Sequence, residues 1–445
     1  MSLRVLICCL CVHAIPAEVA GMERDVPAGQ DSLQNAIAGA APGDVLILEP
    51  GRHNGPVILE KALTLQGTSG AEIDGNGQGS VITVTGQQIT IRGLTIYGSG
   101  SDHETIDSGV QLTKTARDVL VEDNRLTGNL YGIDIHGARN SVARNNVIEG
   151  RRDARMNDRG NGVYVWNAPG AVVEGNDIRW GRDGIFVNAS QRNVFRNNVF
   201  RDLRFAVHYM YTHDSEVSDN VSIGNHLGYA IMYSDRVSVV GNLSLRDRDH
   251  GVMLNFANGG DAVGNLVRGG AQKCTFIYNS YNNLIARNRF ESCEIGIHFT
   301  AGSERNGLTE NSFINNREQV RYVGTTDVEW SVDGRGNYWS DNPAFDLNGD
   351  GIGDSAYRPN DLMDHIMWSQ PAAAALIGSP AVQLVRWSQS RFPAIQPGGV
   401  VDSFPLVAPA SAAVAPAYEE MEEAAQPAWL LEGYERNDAE DIGAH

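Results

Sequence analysis

Apolar and polar residues alternate along this chain in a pattern that keeps returning. One half of each period reads apolar-x-x-Asn-x-apolar: VEDNRL, VARNNV, VEGNDI, VFRNNV, VSDNVSI, VVGNLSL, AVGNLV, IARNRF and LTENSF. Its asparagines are Asn124, Asn145, Asn176, Asn197, Asn220, Asn242, Asn265, Asn288 and Asn311, with successive gaps of 21, 31, 21, 23, 22, 23, 23 and 23 residues. The other half is a short alternating strand: GIDIH, GVYVW, GIFVN, AVHYM, AIMYS, GVMLN, TFIYN and GIHFT. No period holds a run of helical spacing long enough for a helix. One such coil cannot bury its own apolar face, but stacked coils can. The pattern predicts an all-β fold, a right-handed parallel β-helix (a solenoid) of about a dozen coils. Asparagine at the turn suits it, because asparagine tolerates left-handed backbone angles and its amide can bond neighbouring coils.

The ends read differently. Residues 30–40 have the spacing of a short amphipathic helix, expected as an N-terminal helical cap. Residues 361–370 and 380–390 read as helices of a small C-terminal cap. Two insertions interrupt the repeat, residues 98–108 and the arginine-rich 151–160, RRDARMNDRG. The second reads as a protruding basic loop. On repeat scaffolds such insertions usually share one edge, often the binding edge.

Alternation also sorts the strand residues by face. Ile133 and Ile135, Val163 and Val165, Ile185 and Val187, Val207 and Tyr209, Ile231 and Tyr233, and Val252 and Leu254 should point inward. The outward positions are then Asp134, Tyr164, Phe186, His208, Met232, Met253, Ile277 and His298, with His136, Trp166, Asn188, Met210, Ser234, Asn255, Asn279 and Thr300 two residues on. Tyr164, Trp166 and Phe186 form an aromatic patch; with Arg151, Arg152 and Arg155 of the basic loop they make a partner-docking candidate. His208, Met232 and Met253 should stack like rungs, with Met210 nearby. Thioether plus imidazole selects Cu(I) over hard cations. The alternative is that the methionines are flexible apolar filler.

A second metal pattern lies in DLNGDGIGD. Asp346, Asn348, Asp350, the Ile352 carbonyl and Asp354 have the spacing of a calcium loop, with Gly351 at the sharp turn. Tyr357 stands where a bidentate glutamate is usual, so a further ligand would come from Asp341, Asp361 or Asp364. A structural Ca2+ is expected there.

Composition narrows the function. The 445 residues carry 54 acidic against 35 basic side chains, a net charge of −19, which argues against nucleic acid as a partner. Residues 1–20 look like a signal peptide, with an apolar core too short to span a bilayer. Export follows, to the bacterial periplasm or outside, and Cys8, Cys9 and Cys11 leave with the signal. Cys274 and Cys293 remain. A disulfide is the default in an oxidising compartment; a soft-metal role is the alternative. Repeat alignment puts the two on neighbouring coils but offset by about two residues, near the upper limit for a bridge. The expected organisation is signal 1–20, β-helix with its cap 21–340, calcium-type loop and C-terminal cap 341–407, and acidic tail 408–445. Residues 418–445 hold nine acids and one arginine, a composition that predicts disorder.

No nucleophile triad, phosphate loop or dinucleotide fingerprint is present, so the expectation is a binding protein and not an enzyme. The alternative is a polysaccharide lyase or epimerase on the same scaffold. Two segments, GNYWSDNPAFDLNGDGIGDSAYRPNDLMDHIMW and GSPAVQLVRWSQSRFPAIQPGGVVDSFPL, carry a closer resemblance. With the repeat and the export signal, the chain up to about Val407 resembles the NosD family, periplasmic accessory proteins of nitrous oxide reductase maturation. That resemblance implies partners: the permease and ATPase of an ABC transporter, a periplasmic copper chaperone, and nitrous oxide reductase. It implies transient copper carriage without ATP hydrolysis by this chain. It supplies no ligand list; the copper candidates His208, Met210, Met232 and Met253 come from alternation alone.

Overall fold

The computed structural model describes residues 21–360 except 153, 154, 301 and 325, then 363, 364, 366, 370, 372, 376, 379–391 and 399–410. The signal peptide, nearly all of the acidic tail and most of the helix expected at 361–370 lie outside the described residues.

Strands of mostly three to six residues stack into three parallel sheets, two of 13 strands and one of 12. The first sheet runs from Glu23–Val26 to Gly307–Thr309, the second from Gly51–Asn54 to Tyr338–Trp339, and the third from Val57–Leu59 to Glu318–Val323. This is a parallel β-solenoid. Its core is the continuous apolar stack that alternation predicts: Ile133, Ile135, Val163, Val165, Ile185, Val187, Val207, Tyr209, Val252 and Leu254 are all buried.

The expected helical caps reduce to small helices. Ser32–Gly39 buries Leu33 and leans Ala36 and Ile37 on the first coils. Pro380–Arg391 is a second helix, with Val382 buried and Leu384 and Trp387 exposed. Around the last coil, Trp330 and Trp339 are buried, and Val328–Glu329 pairs with Val400–Val401. The buried carboxylate of Asp402 accepts the Trp339 indole N–H at 2.8 Å and the Asn337 amide at 2.7 Å.

An asparagine ladder ties the coils together, at seven of the nine expected positions and one residue later at the other two. The interior column is Asn124, Asn146, Asn176, Asn198, Asn220, Asn242, Asn265, Asn288, Asn311 and Asn337. From Asn124 to Asn311 each backbone N–H, and each Nδ2 group, donates to Oδ1 of the next coil's asparagine, as from Asn220 to Asn242 at 3.0 Å, and Asn337 ends the column on Asp402. Asn145 and Asn197 are not in it. They take the left-handed turn just before it, at φ 54° and 55°. Turn-forming and coil-bonding are thus separate jobs on consecutive residues. In an Asn-Asn pair nothing local distinguishes them.

Candidate functional site

The third sheet presents the outward face. Strand register defines two outward columns. The first is Asp134, Tyr164, Phe186, His208, Ala230, Met253, Phe276 and His298; the second is His136, Trp166, Asn188, Met210, Met232, Asn255 and Tyr278. Several expected placements change. Met232 is not a rung of the His208 column: it pairs with Met210, and Ala230 takes the rung. Tyr233 and Ser234 fall beyond that strand, and Tyr229 fills the core in place of Tyr233. Phe276 faces out while Ile277 is buried, and Asn279 sits past the strand. The segment LGYAIMYS has aromatics at two positions of equal parity, so alternation alone fits either alignment. In KCTFIYN a one-residue shift reverses every face.

The corrected register still gathers the copper candidates. His208 and Met253 flank Ala230 in one column, and Met232 and Met210 lie beside it in the next. Ala230 is small and fully covered. Its methyl group leaves room for longer neighbours to lean over it. Met210, Met232 and Met253 are half-buried.

His208 is not an exposed ligand, as alternation had suggested, but 8% accessible. Its ring packs on Phe186 at 4.8 Å and edge-on against Phe205 at 4.8 Å. Its Nδ1 lies 3.3 Å from Oδ2 of Asp183, and Arg204 donates to both oxygens of the same carboxylate at 2.8 and 2.7 Å. Complete burial pushes the Asp183 carboxyl up, but the bonds from His208 and Arg204 outweigh it and hold the group below the usual range. With Nδ1 engaged, Nε2 is the nitrogen left for a metal, the carboxylate–imidazole arrangement common behind metal-binding histidines.

An aromatic ladder that sequence reading missed stands directly after the second column on three coils and ends in that column at Tyr278. Tyr211, Tyr233, Phe256 and Tyr278 follow one another on consecutive coils, with ring centroids 5.2, 5.1 and 5.8 Å apart. Tyr211, Tyr233 and Phe256 have φ of 50°, a left-handed backbone that costs a bulky residue about 1–2 kcal/mol. The signal was an aromatic immediately after Met210, Met232 and Asn255. It becomes visible only once the register is known.

The aromatics expected to form a docking patch lie on this face, each in a stacked pair. Tyr164 stacks on Phe186 at 5.4 Å, and Trp166 stacks on His136 at 4.3 Å. All three predicted aromatics are half-buried; burial pushes the Tyr164 hydroxyl up to about 12. Both insertions enter at one corner, before third-sheet strands. The 151–160 loop does not simply protrude. Arg151 donates to the carbonyl oxygens of Ser99 and Gly100, and His103 bridges the Tyr131 hydroxyl and the Asp158 carbonyl oxygen. The Arg152 guanidinium lies 5.3 Å from the Trp180 ring centre. Arg155 is exposed.

The two remaining metal candidates resolve differently. Cys274 and Cys293 form a disulfide, with their Cα atoms 5.7 Å apart. That is an ordinary span, not the marginal one inferred from repeat alignment. In the 346–354 loop the polar groups serve the turn itself. Asp346 accepts the amides of Gly349 and Gly351 at 2.6 and 2.7 Å, Asp350 that of Ile352 at 2.8 Å, and Asp354 that of Leu347 at 2.7 Å. Among the described residues no three His, Cys, Asp or Glu side chains are grouped to hold a metal.

Comparison with known proteins finds a family and its relatives. A family model described as the periplasmic copper-binding protein NosD matches residues 144–344. Two relatives named "Probable ABC transporter binding protein NosD" are each 38% identical. The one from Stutzerimonas stutzeri aligns over 81% of this chain and 86% of its own length, that from Pseudomonas aeruginosa over 81% and 87%. Among solved structures, the Streptococcus pneumoniae surface protein and adhesin PfbA matches at TM-score 0.55 and 10% identity, over 66% of this chain and 94% of that one. A family 28 exopolygalacturonase from Yersinia enterocolitica matches at 0.52 and 12%, over 68% and 77%. At such identities these two share the fold alone.

Proposed function

The chain belongs to the NosD family of periplasmic copper-binding proteins, and on that premise we propose that it carries Cu(I) on the outward face of the third sheet. It receives the ion from a periplasmic copper chaperone and passes it on toward the copper centres of nitrous oxide reductase. The permease and ATPase of an ABC transporter are its membrane partners, and ATP hydrolysis belongs to them. The relatives' names as ABC transporter binding proteins support that part of the reading.

The pairing of Met210 with Met232 carries the proposal. Two thioethers on adjacent coils, about 4.8 Å apart along the sheet, can share one soft ion. Neither has a proton to lose, which suits reversible transfer. His208 Nε2 and Met253 supply further donors across Ala230. Tyr164, Trp166 and Phe186, with Arg155 at the corner, offer the partner-docking surface. Calcium in the loop of Asp346, Asn348, Asp350, Ile352 and Asp354 is a separate proposal, supported by spacing. It requires the carboxylates to exchange their amide bonds for the ion. The polysaccharide-processing alternative has only the fold in its favour.

The test is anaerobic Cu(I) titration against a chromophoric chelator. Met210→Leu with Met232→Leu keeps side-chain volume close to native and removes both sulfurs. Affinity should fall by at least about tenfold, roughly 1.4 kcal/mol. Unchanged affinity would place the copper elsewhere.

A further inference from the structure

Charges that stack on neighbouring coils of this solenoid are usually matched. Arg144 bonds Glu122, Arg196 bonds Glu174, Arg236 bonds Asp214 and Arg335 bonds Glu310, each across one coil. The corner after the third sheet's early strands departs from this. Arg117 and Arg139 are bridge partners on adjacent coils, like charge on like. Lys114 lies beside Gly137, against the same two coils. Among the described residues, none of these three side chains has a hydrogen bond or ion pair. Together with Gln87, Trp166 and Asn167 they line an open groove of about 640 Å³.

Facing like charges destabilise a sheet. A chain of net charge −19 has no shortage of acids to neutralise them. Three cations left unpaired around one concavity therefore mark an anion site. The groove spans the turns of four successive coils, about 14 Å along the axis. A small inorganic anion touches one or two of those coils; an extended acidic peptide of four or five residues fits the full length.

The same chain carries such a peptide. Residues 432–441, EGYERNDAED, hold five acids and one arginine. The second-sheet strand Val147–Glu149 lies eight strand steps from Tyr338–Trp339, so the groove is roughly 40 Å from the last coil. Between residue 410 and residue 432 there is chain for about 70 Å when extended. Reach is not limiting. We propose that the acidic segment 432–441 docks in cis on Lys114, Arg117 and Arg139. Trp166 shares its outward column with Met210, two rungs away. The docked segment would thus lie along one end of the methionine face and compete with any acidic partner approaching that corner.

Zero-length carbodiimide cross-linking of the full chain tests this, because it joins carboxylates to lysines only when they touch. Lys114 is one of three lysines in the sequence, and Lys61 is engaged with the carbonyl oxygens of Ala38 and Ala40. At low ionic strength, mass spectrometry should find Lys114 joined to residues 432–441, with a yield independent of protein concentration. Arg117→Glu with Arg139→Glu leaves Lys114 in place and should lower that yield about tenfold without moving the thermal midpoint. The proposal is overturned by absence of the Lys114 product, by equal yield from Lys61, by a yield the double reversal leaves unchanged, or by one that rises with concentration, which would indicate a second copy.

Discussion

Asp183 and His208 meet across adjacent coils, with 3.3 Å between the carboxylate Oδ2 and the imidazole Nδ1. Asp183 is fully buried and also takes both arms of Arg204. One carboxylate therefore fixes the orientation of the histidine beside the methionine group and neutralises an arginine.

Asp183→Asn should loosen this arrangement. Removing one member of a buried charge cluster costs roughly 3–5 kcal/mol; Arg204 is partly exposed, so a value near the lower end is expected in chemical denaturation. The pH dependence has a definite sign. The folded carboxyl titrates below its unfolded value, so its contribution is full above about pH 4 and lost as pH falls further. The variant should lack that part of the acid loss. Cu(I) affinity should also fall, because His208 loses its orienting partner.

The asparagine ladder should be intolerant of truncation at mid-column. The Asn220 side chain donates to the Phe195 carbonyl oxygen at 2.8 Å and accepts the Asn198 amide at 3.0 Å. Asn220→Ala strands those buried groups, at about 1–3 kcal/mol each. A drop of roughly 3–5 kcal/mol in unfolding free energy is expected. Asn197→Ala, at the neighbouring exposed turn, should cost much less. Equal losses would contradict the assignment of roles.

Asp247 is a buried carboxyl where the preceding coil has Asn225. Burial pushes it up to about 7, against bonds from Ser244, Ser222 and the Asn225 amide. A folded group that keeps its proton longer than the unfolded chain favours folding at low pH. That contribution is full below about pH 4 and disappears as pH rises through 7. Asp247→Asn should leave the unfolding free energy nearly unchanged at pH 4 and raise it at pH 8, by about 1–3 kcal/mol.

Calcium is expected to matter little to the solenoid itself. The loop carboxylates already bond loop amides, and Leu347 at its tip is exposed. Chelation with EGTA should shift the unfolding midpoint by less than about 1 kcal/mol equivalent. A larger shift would mean that the 346–354 loop rearranges around the ion.

Much of the architecture is legible in the residues. Apolar residues two apart can be buried only on one face of a strand, and a coil of such strands needs neighbours. Ile133, Val163 and Ile185 therefore announce a stacked solenoid without any tertiary information. The outward side of Tyr164, Phe186, Met210, Met232 and Met253 follows from the same parity, whereas Phe276 and Tyr278 face out against it. What alternation could not decide was which residue meets which on the next coil. A shift of two preserves parity, so Met232 could stand beside His208 or beside Met210, and only the interlocked hydrogen bonds of the sheet place it beside Met210. A separate ambiguity, two adjacent asparagines, hid Asn146 behind Asn145. The closure of Cys274 on Cys293 and the folding of Arg151 onto Ser99 and Gly100 are likewise tertiary, because both depend on how coils and insertions meet in space rather than on any periodicity along the chain.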